Sequence, residues 1–377
     1  MHGSLPASRM HCHVSAPSSA TPTMADGETI LFIGATGYIG GTVLHKLLGH
    51  TAAQPEDSRP RFVALVRDAE KAEKLKALGI EAVVGDTADV ALLEGLASEA
   101  AVVFSMAESD NVASAKALLS GCKMRFEKTG KETILIHTSG AGAIADMACL
   151  GAHSDSLTWD DLDLGQLSTI RATQLHRPVD LHILAADEAG YIKSYIVLPT
   201  TVWGIASTPL VEAGIQRAHN TLLTHIVPPA LARRQGGVIG EGKNVWGNVE
   251  VHELADLFLL IYTTATDPTF SSQAGHGQSG MYFAENGSNE LRQVSDVISR
   301  TLFEAGHAAN AETTTFGAEE MKESFPFAIV ATLIASDAKC SARRARALGW
   351  TPRLSTKEFL ENVKVVTRNY LELGRAA

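Results

Sequence analysis

Cysteine is scarce. Cys12, Cys122, Cys149 and Cys340 are scattered through 377 residues, with no Cys-x-x-Cys pair and no metal-ligand spacing. That argues against a disulfide-stapled domain and a cysteine-based zinc site; it fits free thiols in a reducing, cytoplasmic setting with no metal. Long apolar runs are also missing. The best, Phe327 to Ala335, includes Thr332 and falls well short of the roughly 20 residues that a membrane span needs, so no membrane partner is expected. Basic residues are in deficit: 32 Lys and Arg against 42 Asp and Glu leave a net charge of −10, which makes a nucleic-acid backbone an unsuitable general partner. The pairs Arg233-Arg234 and Arg343-Arg344 read as solvated faces. Acidic residues are absent from the first 23 positions, which are rich in Ser, Pro, Ala and His and lack the apolar core of a secretory signal. Residues 1–25 therefore read as a disordered leader, and Met24 as an alternative start.

The remainder, within a chain 45% hydrophobic and 20% charged, has ordinary globular composition and enough length for a large domain with a smaller lobe. Short apolar, β-branched runs alternate with segments of helical spacing. Thr29–Ile33, Phe62–Val66, Ala82–Val84, Ala101–Met106, Thr133–Thr138 and Ser194–Leu198 read as strands. Tyr38–Leu48, Ala69–Leu78, Asp89–Ala97, Asn111–Phe126 and Val179–Ala189 read as helices. This rhythm predicts an α/β, Rossmann-type doubly wound parallel sheet over residues 26–205. Residues 206–377 read as a smaller, mostly helical substrate lobe interleaved with it, with helical segments at Val211–Leu223, Leu254–Thr263, Leu291–Glu304 and Lys357–Leu373 and a strand at Met281–Ala284. The acidic stretch Trp159-Asp160-Asp161 reads as a solvated loop, with a lid over the site as the alternative.

Gly34-Ala35-Thr36-Gly37-Tyr38-Ile39-Gly40 lies between the first strand and the first helix. This G-x-x-G-x-x-G spacing is one residue wider than G-x-G-x-x-G, but the reasons for glycine hold: a tight turn, backbone approach to a pyrophosphate, and close helix–sheet packing. Helix-start amides then hold the phosphates. Gly34, Thr36, Gly37, Tyr38, Ile39 and Gly40 are the expected dinucleotide contacts, joined by Ala107 after the fourth strand and Pro199 after the sixth. At the end of the second strand, Arg67 favours a 2′-phosphate, and hence NADP(H) over NAD(H); Asp68 beside it argues for a ribose hydroxyl. Asp86 is placed to meet the adenine, or simply to cap the next helix.

With these features in place, the chain resembles the short-chain dehydrogenase/reductase superfamily, in its extended and atypical branches of epimerase/dehydratase-like and NmrA-like proteins. Ala64-Leu65-Val66-Arg67-Asp68, Leu78-Gly79-Ile80 and Val84-Gly85-Asp86 carry the NmrA-like part; Val251 to Asp256, Gly280 to Glu285 and Ala347 to Pro352 carry the extended part. The resemblance implies a Ser or Thr after the fifth strand that polarises the substrate oxygen, which is Ser139 here, beside Thr138. It also implies a Tyr-x-x-x-Lys pair, and no such spacing occurs in the chain. Counting back from Pro199, the pair would sit on a helix over Ala172–Gly190, with Ala172 at the Tyr position and His176 at the Lys position, four residues before Asp180. A histidine titrates near neutral pH and can replace the missing acid. Three readings stay open: an NADPH-dependent oxidoreductase on a small organic carbonyl or alcohol with a non-standard proton donor; a non-catalytic NADP(H) sensor acting through a protein partner; and a non-redox isomerase or dehydratase that keeps the cofactor as scaffold.

Overall fold

Every residue of Thr29–Ile33 (β1) is buried, and both neighbours of that strand are parallel to it, as expected for a strand with helices on both sheet faces. The computed structural model describes residues 28–152, 156–219, 222–325 and 327–376. The expected leader and Cys12 lie outside them. From β1 the chain continues through α1 (Tyr38–Ala52), β2 (Arg61–Val66), α2 (Ala69–Lys76), β3 (Glu81–Val84), α3 (Val90–Ala97), β4 (Val102–Ser105), α4 (Val112–Thr129), β5 (Thr133–Thr138), α5 (Arg177–Glu188) and β6 (Ile192–Pro199). A seventh strand, β7 (Met281–Ala284), comes from the second half of the chain and completes the sheet. The order is β7-β6-β5-β4-β1-β2-β3, all parallel, which is the doubly wound Rossmann arrangement. The expected α/β class is the observed one.

On one face α1 packs against the helix Val251–Thr266; on the other, α3, α4 and α5 pack in sequence. Strand order reverses between β1 and β4, so the loops leaving these two strands diverge and open a crevice at the carboxyl end of the sheet. A second core surrounds Trp203, Ile226, Val294 and Phe359. There a small sheet (Thr201–Trp203, Val245–Glu250, Ser288–Glu290) meets the helices Leu222–Arg233, Leu291–Glu304 and Thr356–Ala376.

Several expectations for this half need correction. The helix expected over Val211–Leu223 is instead a short turn at Pro209–Glu212 and a separate helix over Leu222–Arg233. Pro209 starts the first at its opening turn, and Gly214 at φ +70° follows its end. The acidic stretch is not a solvated loop. Trp159-Asp160 pairs with Cys340-Ser341, and buried Asp161 accepts from the backbone N–H groups of Phe283 and Arg344. Of the two arginine pairs, Arg234 and Arg343 are exposed, as expected of solvated faces, while Arg233 and Arg344 are half-buried. Arg343 bonds Asp160 at 2.6 Å, Arg344 donates to the Asp161 carbonyl, and Arg233 lies over the Phe316 ring. No helix among the described residues is long and apolar enough to cross a membrane.

Candidate functional site

The glycine turn stands at the mouth of this crevice. Gly34 has φ +97°, a region that disfavours any Cβ, and a Cβ there would lie 2.8 Å from the Met106 carbonyl and 3.2 Å from Ala107. At Gly40 a Cβ would collide with the Gly34 carbonyl oxygen. The Gly37 amide donates to that same oxygen at 2.9 Å, closing the turn, and Gly37 is the N-cap of α1. The other early helices begin on a side-chain acceptor: Asp68 for α2, Asp89 for α3, Asn111 for α4. Helix α1 has no capping side chain and no acidic residue in its first turn. Its positive end is thus left for an external anion. Two buried hydroxyls along the carboxyl edge, of Thr87 after β3 and Thr138 at the end of β5, have no partner. An uncapped helix start, a glycine cradle and orphaned hydroxyls along one edge fit a dinucleotide.

The remaining expected contacts are distributed unevenly. Arg67 is exposed at the end of β2 and makes no hydrogen bond or ion pair among the described residues, whereas the Asp68 carboxylate is occupied by the amides of Glu70 and Lys71. Asp86 accepts from the Ala88 amide at 2.8 Å, a bond within the turn before α3, and the cap of that helix is Asp89 instead. The Thr36 carbonyl accepts from the Arg217 amide, and Pro199 is buried where β6 pairs with Ala284 of β7. Ile39 and Tyr38 line a cavity toward the second core. The Tyr38 side chain is committed to that seam: its hydroxyl donates to the Gly204 carbonyl at 2.8 Å, and its ring packs on Ala206 and Val251. Burial, with the Glu250 carboxylate second, pushes its ionisation to higher pH.

Ser139 follows β5, with its amide bonded to the Val197 carbonyl, so its position is fixed by the sheet. Its hydroxyl donates to Asp180 Oδ2 at 3.0 Å. Asp180 is wholly buried on α5, and desolvation pushes its carboxyl up to about 7. The other oxygen, Oδ1, has no hydrogen-bond partner and stands 4.0 Å from His137 Nε2, likewise unpartnered. His137 Nδ1 pairs with Ser105 at 3.1 Å; burial pushes this imidazole down to about 4, so it is neutral at pH 7. A sealed polar chain therefore stands behind Ser139.

His176 is not on a helix, as counting from Pro199 predicts, but at the N-cap of α5 with φ +65°. Pro178 at the helix start makes the boundary abrupt. Ala172 lies in the turn before it, outside α5. Asp110, in the loop after β4, accepts from the His176 backbone amide at 2.8 Å and pairs with its Nδ1 at 3.0 Å; Ser109 lies 3.1 Å from the same nitrogen. The hydrogen bond from His176 holds the Asp110 carboxyl below its usual range. Nε2 is left facing the turn after Ser139, where a Cβ on Gly140 would be 2.9 Å from it and one on Gly142 3.1 Å. The structure thus gathers Ser139 and His176 at one sheet edge. It adds Asp110 and Asp180, which the sequence reading missed as partners. His252 has a structural role, accepting from the Ser207 amide.

Residues 26–124 match the NmrA-like family model. The oxidase ucsJ of an Acremonium species is 28% identical over 340 residues, covering 86% of this chain and 93% of the relative. Among solved structures, the yeast methylglyoxal/isovaleraldehyde reductase complexed with NADPH aligns with a TM-score of 0.57 at 16% identity, covering 91% of this chain and 99% of that one. The dTDP-glucose 4,6-dehydratase of Streptomyces venezuelae, a double mutant with NAD bound, gives 0.57 at 15%, covering 89% and 96%. The UDP-glucose 4-epimerase of Thermotoga maritima gives 0.56 at 14%, covering 91% and 99%. Over residues 26–124 the chain is similar to the NmrA-like family, and its fold is shared with the UDP-glucose epimerase, the dTDP-glucose dehydratase and the yeast reductase.

Proposed function

We propose that this protein is an NADPH-dependent oxidoreductase acting on a small organic carbonyl or alcohol, with His176 as its proton donor. The observation that carries this reading is the His176–Asp110 pair, held so that Nε2 faces the turn after Ser139. An aspartate that fixes one ring nitrogen and leaves the other toward the site is the arrangement of a working acid–base histidine. The relative named an oxidase and the NADPH-bound yeast reductase support redox chemistry.

The dinucleotide would be held by the turn from Gly34 to Gly40 and by the start of α1, with Arg67 at the 2′-phosphate. Bound NADPH supplies the two-electron reducing equivalent. The chain does the rest. Ser139 donates its hydroxyl to the substrate oxygen when Asp180 carries a proton and supports it from behind. His176 delivers the proton that completes the alcohol, and Asp110 keeps its ring from turning. The test is NADPH consumption against a panel of aldehydes and ketones. Tight NADPH binding with no turnover of any of them returns the protein to the sensor or scaffold readings.

The coenzyme preference is separately testable. Arg67→Ala is expected to weaken NADPH by roughly 10- to 100-fold, since a charge-assisted hydrogen bond to phosphate is lost, and to leave NADH nearly unchanged. Fluorescence titration with both coenzymes reads this directly. Equal weakening of the two would remove Arg67 from the 2′-phosphate.

A further inference from the structure

Gly41, directly after the glycine turn, receives a loop from the second half of the chain. A Cβ there would lie 2.4 Å from Gln216 Cγ. Gln216 is buried, and its amide is used at both ends. Nε2 donates to the Tyr38 carbonyl at 3.0 Å and to Thr42 Oγ1 at 2.8 Å, and Oε1 accepts from the Thr208 hydroxyl at 2.6 Å. The next residue continues the attachment: the Arg217 amide donates to the Thr36 carbonyl at 3.2 Å. One residue further, the Ala218 carbonyl accepts from the Ala206 amide at 2.9 Å and closes the loop. Gly214 brings the same loop to α2, where a Cβ on it would lie 3.5 Å from Lys74 Nζ. Residues 206–218 are thus pinned on the glycine turn and reach across to α2.

That attachment decides which part of a dinucleotide Arg217 faces. The turn follows β1 and Arg67 follows β2, and these strands are neighbours with Ile33 opposite Leu65. Thr36 is three residues beyond Ile33, and Arg67 two beyond Leu65. Adjacent strands lie only about 4.8 Å apart, less than the length of an extended arginine side chain. Arg67 and Arg217 therefore approach the gap between the two strand ends from opposite sides, and this gap is where the 2′ position of the adenosine ribose is read. The Arg217 side chain is exposed and, among the described residues, makes no hydrogen bond or ion pair, as is true of Arg67. Lys74 is already held by Glu70 at 2.7 Å.

We infer that Arg217 is a second ligand for the 2′-phosphate, supplied by the second half of the chain, and that it clamps this group against Arg67. Charge supports the pairing. A phosphate monoester carries close to two negative charges at neutral pH, which one guanidinium only half offsets. The chain as a whole has a net charge of −10, so the attraction must come from cations at the site itself. The inference rests on the NADPH-binding part of the reading above, and not on His176 or on hydride transfer.

The experiment is titration of the full chain with NADPH and NADH by fluorescence, and with 2′,5′-ADP and 5′-AMP by calorimetry. Arg217→Ala is expected to weaken NADPH and 2′,5′-ADP by about tenfold, the loss of one exposed charge-assisted contact. NADH and 5′-AMP, which lack the 2′-phosphate, are expected to change by less than about twofold. The substitution keeps the backbone bond to Thr36, so Tm is expected to hold. Arg217→Lys is expected to recover part of the loss, because it restores the charge without the planar fork. The double variant with Arg67→Ala is expected to bind NADPH no more tightly than NADH. Unchanged NADPH affinity in Arg217→Ala overturns the inference, and so does equal weakening of NADPH and NADH. If Arg67→Ala weakens NADPH selectively and Arg217→Ala does not, the clamp is removed and the NADPH reading stands. If the unaltered protein binds none of the four nucleotides, both are removed together.

Discussion

His176→Asn is expected to lower kcat for NADPH-driven carbonyl reduction by roughly 10²- to 10⁴-fold, the usual range for loss of a positioned acid–base group. Asparagine is the right replacement because position 176 has φ +65°, a conformation that Asn accepts more readily than other residues with side chains. The ring also packs against Gly140 and Gly142, so thermal unfolding of the variant is measured alongside its activity. NADPH affinity is expected to hold, because the glycine turn and Arg67 are on other loops. A merely structural histidine would instead lower Tm and NADPH affinity with kcat little changed. Asp110→Asn separates the two further: it keeps an acceptor for the His176 backbone amide through its side-chain oxygen but removes the charge that fixes Nδ1. It too is expected to lower kcat, by about tenfold or more. If His176→Asn retains kcat within a factor of about three, the histidine is not the acid, because such a loss falls well below the range for general-acid catalysis.

The fold was largely legible because its signals are local. A largely buried strand such as Thr133–Thr138 is a short β-branched run between polar ends, and its bounds agree with the structure residue for residue. The helix starts at Asp68, Asp89 and Asn111 are readable for the same reason: a short polar acceptor just before a periodic segment has one physical use. The turn from Gly34 to Gly40 was legible because Gly34 and Gly40 each answer a collision that can be foreseen from the motif. The site was only half legible. Ser139 and His176 follow from position along the chain, but Asp110 reaches His176 across 66 residues and Asp180 reaches Ser139 across 41. Nothing in the spacing announces either contact. A weaker signal was present at Asp180: it occupies the same helical face as Ile183 and Leu184, so it is a carboxylate on an apolar stripe and demands a partner. The pairing of Asp160 and Asp161 with Arg343 and Arg344 spans 183 residues, which is why each segment read alone looked solvated. The helix Leu222–Arg233 was obscured by Pro228 and Pro229 in its interior, which sequence rules read as a stop.

Asp180→Asn is expected to change the pH dependence of stability in a direction that the buried carboxyl fixes. Desolvation raises this group to about 7 in the folded protein, and the nearby Arg177 guanidinium, which acts in the opposite sense, does not cancel it. An unfolded aspartate titrates near 4. Between those values the folded state holds a proton that the unfolded state has lost, so stability falls as pH rises through that window and levels off above it. The contribution is fully present below about pH 4 and is lost by about pH 7, and its size is on the order of a few kcal/mol. The asparagine cannot ionise, so its curve lacks this decline, and the variant gains on the wild type steadily from pH 4 to pH 7. Urea unfolding at several pH values measures the difference. Parallel curves would show that Asp180 is ionised in the folded protein throughout, and would remove the protonated carboxyl from behind Ser139. The same variant bears on chemistry. The asparagine amide donates to Ser139 Oγ much as a protonated Asp180 would, and so leaves the serine hydroxyl free to donate toward the substrate. Asp180→Asn is therefore expected to keep reductase activity, whereas Asp180→Leu, which leaves Ser139 without that support, is expected to lose about 10- to 100-fold in kcat.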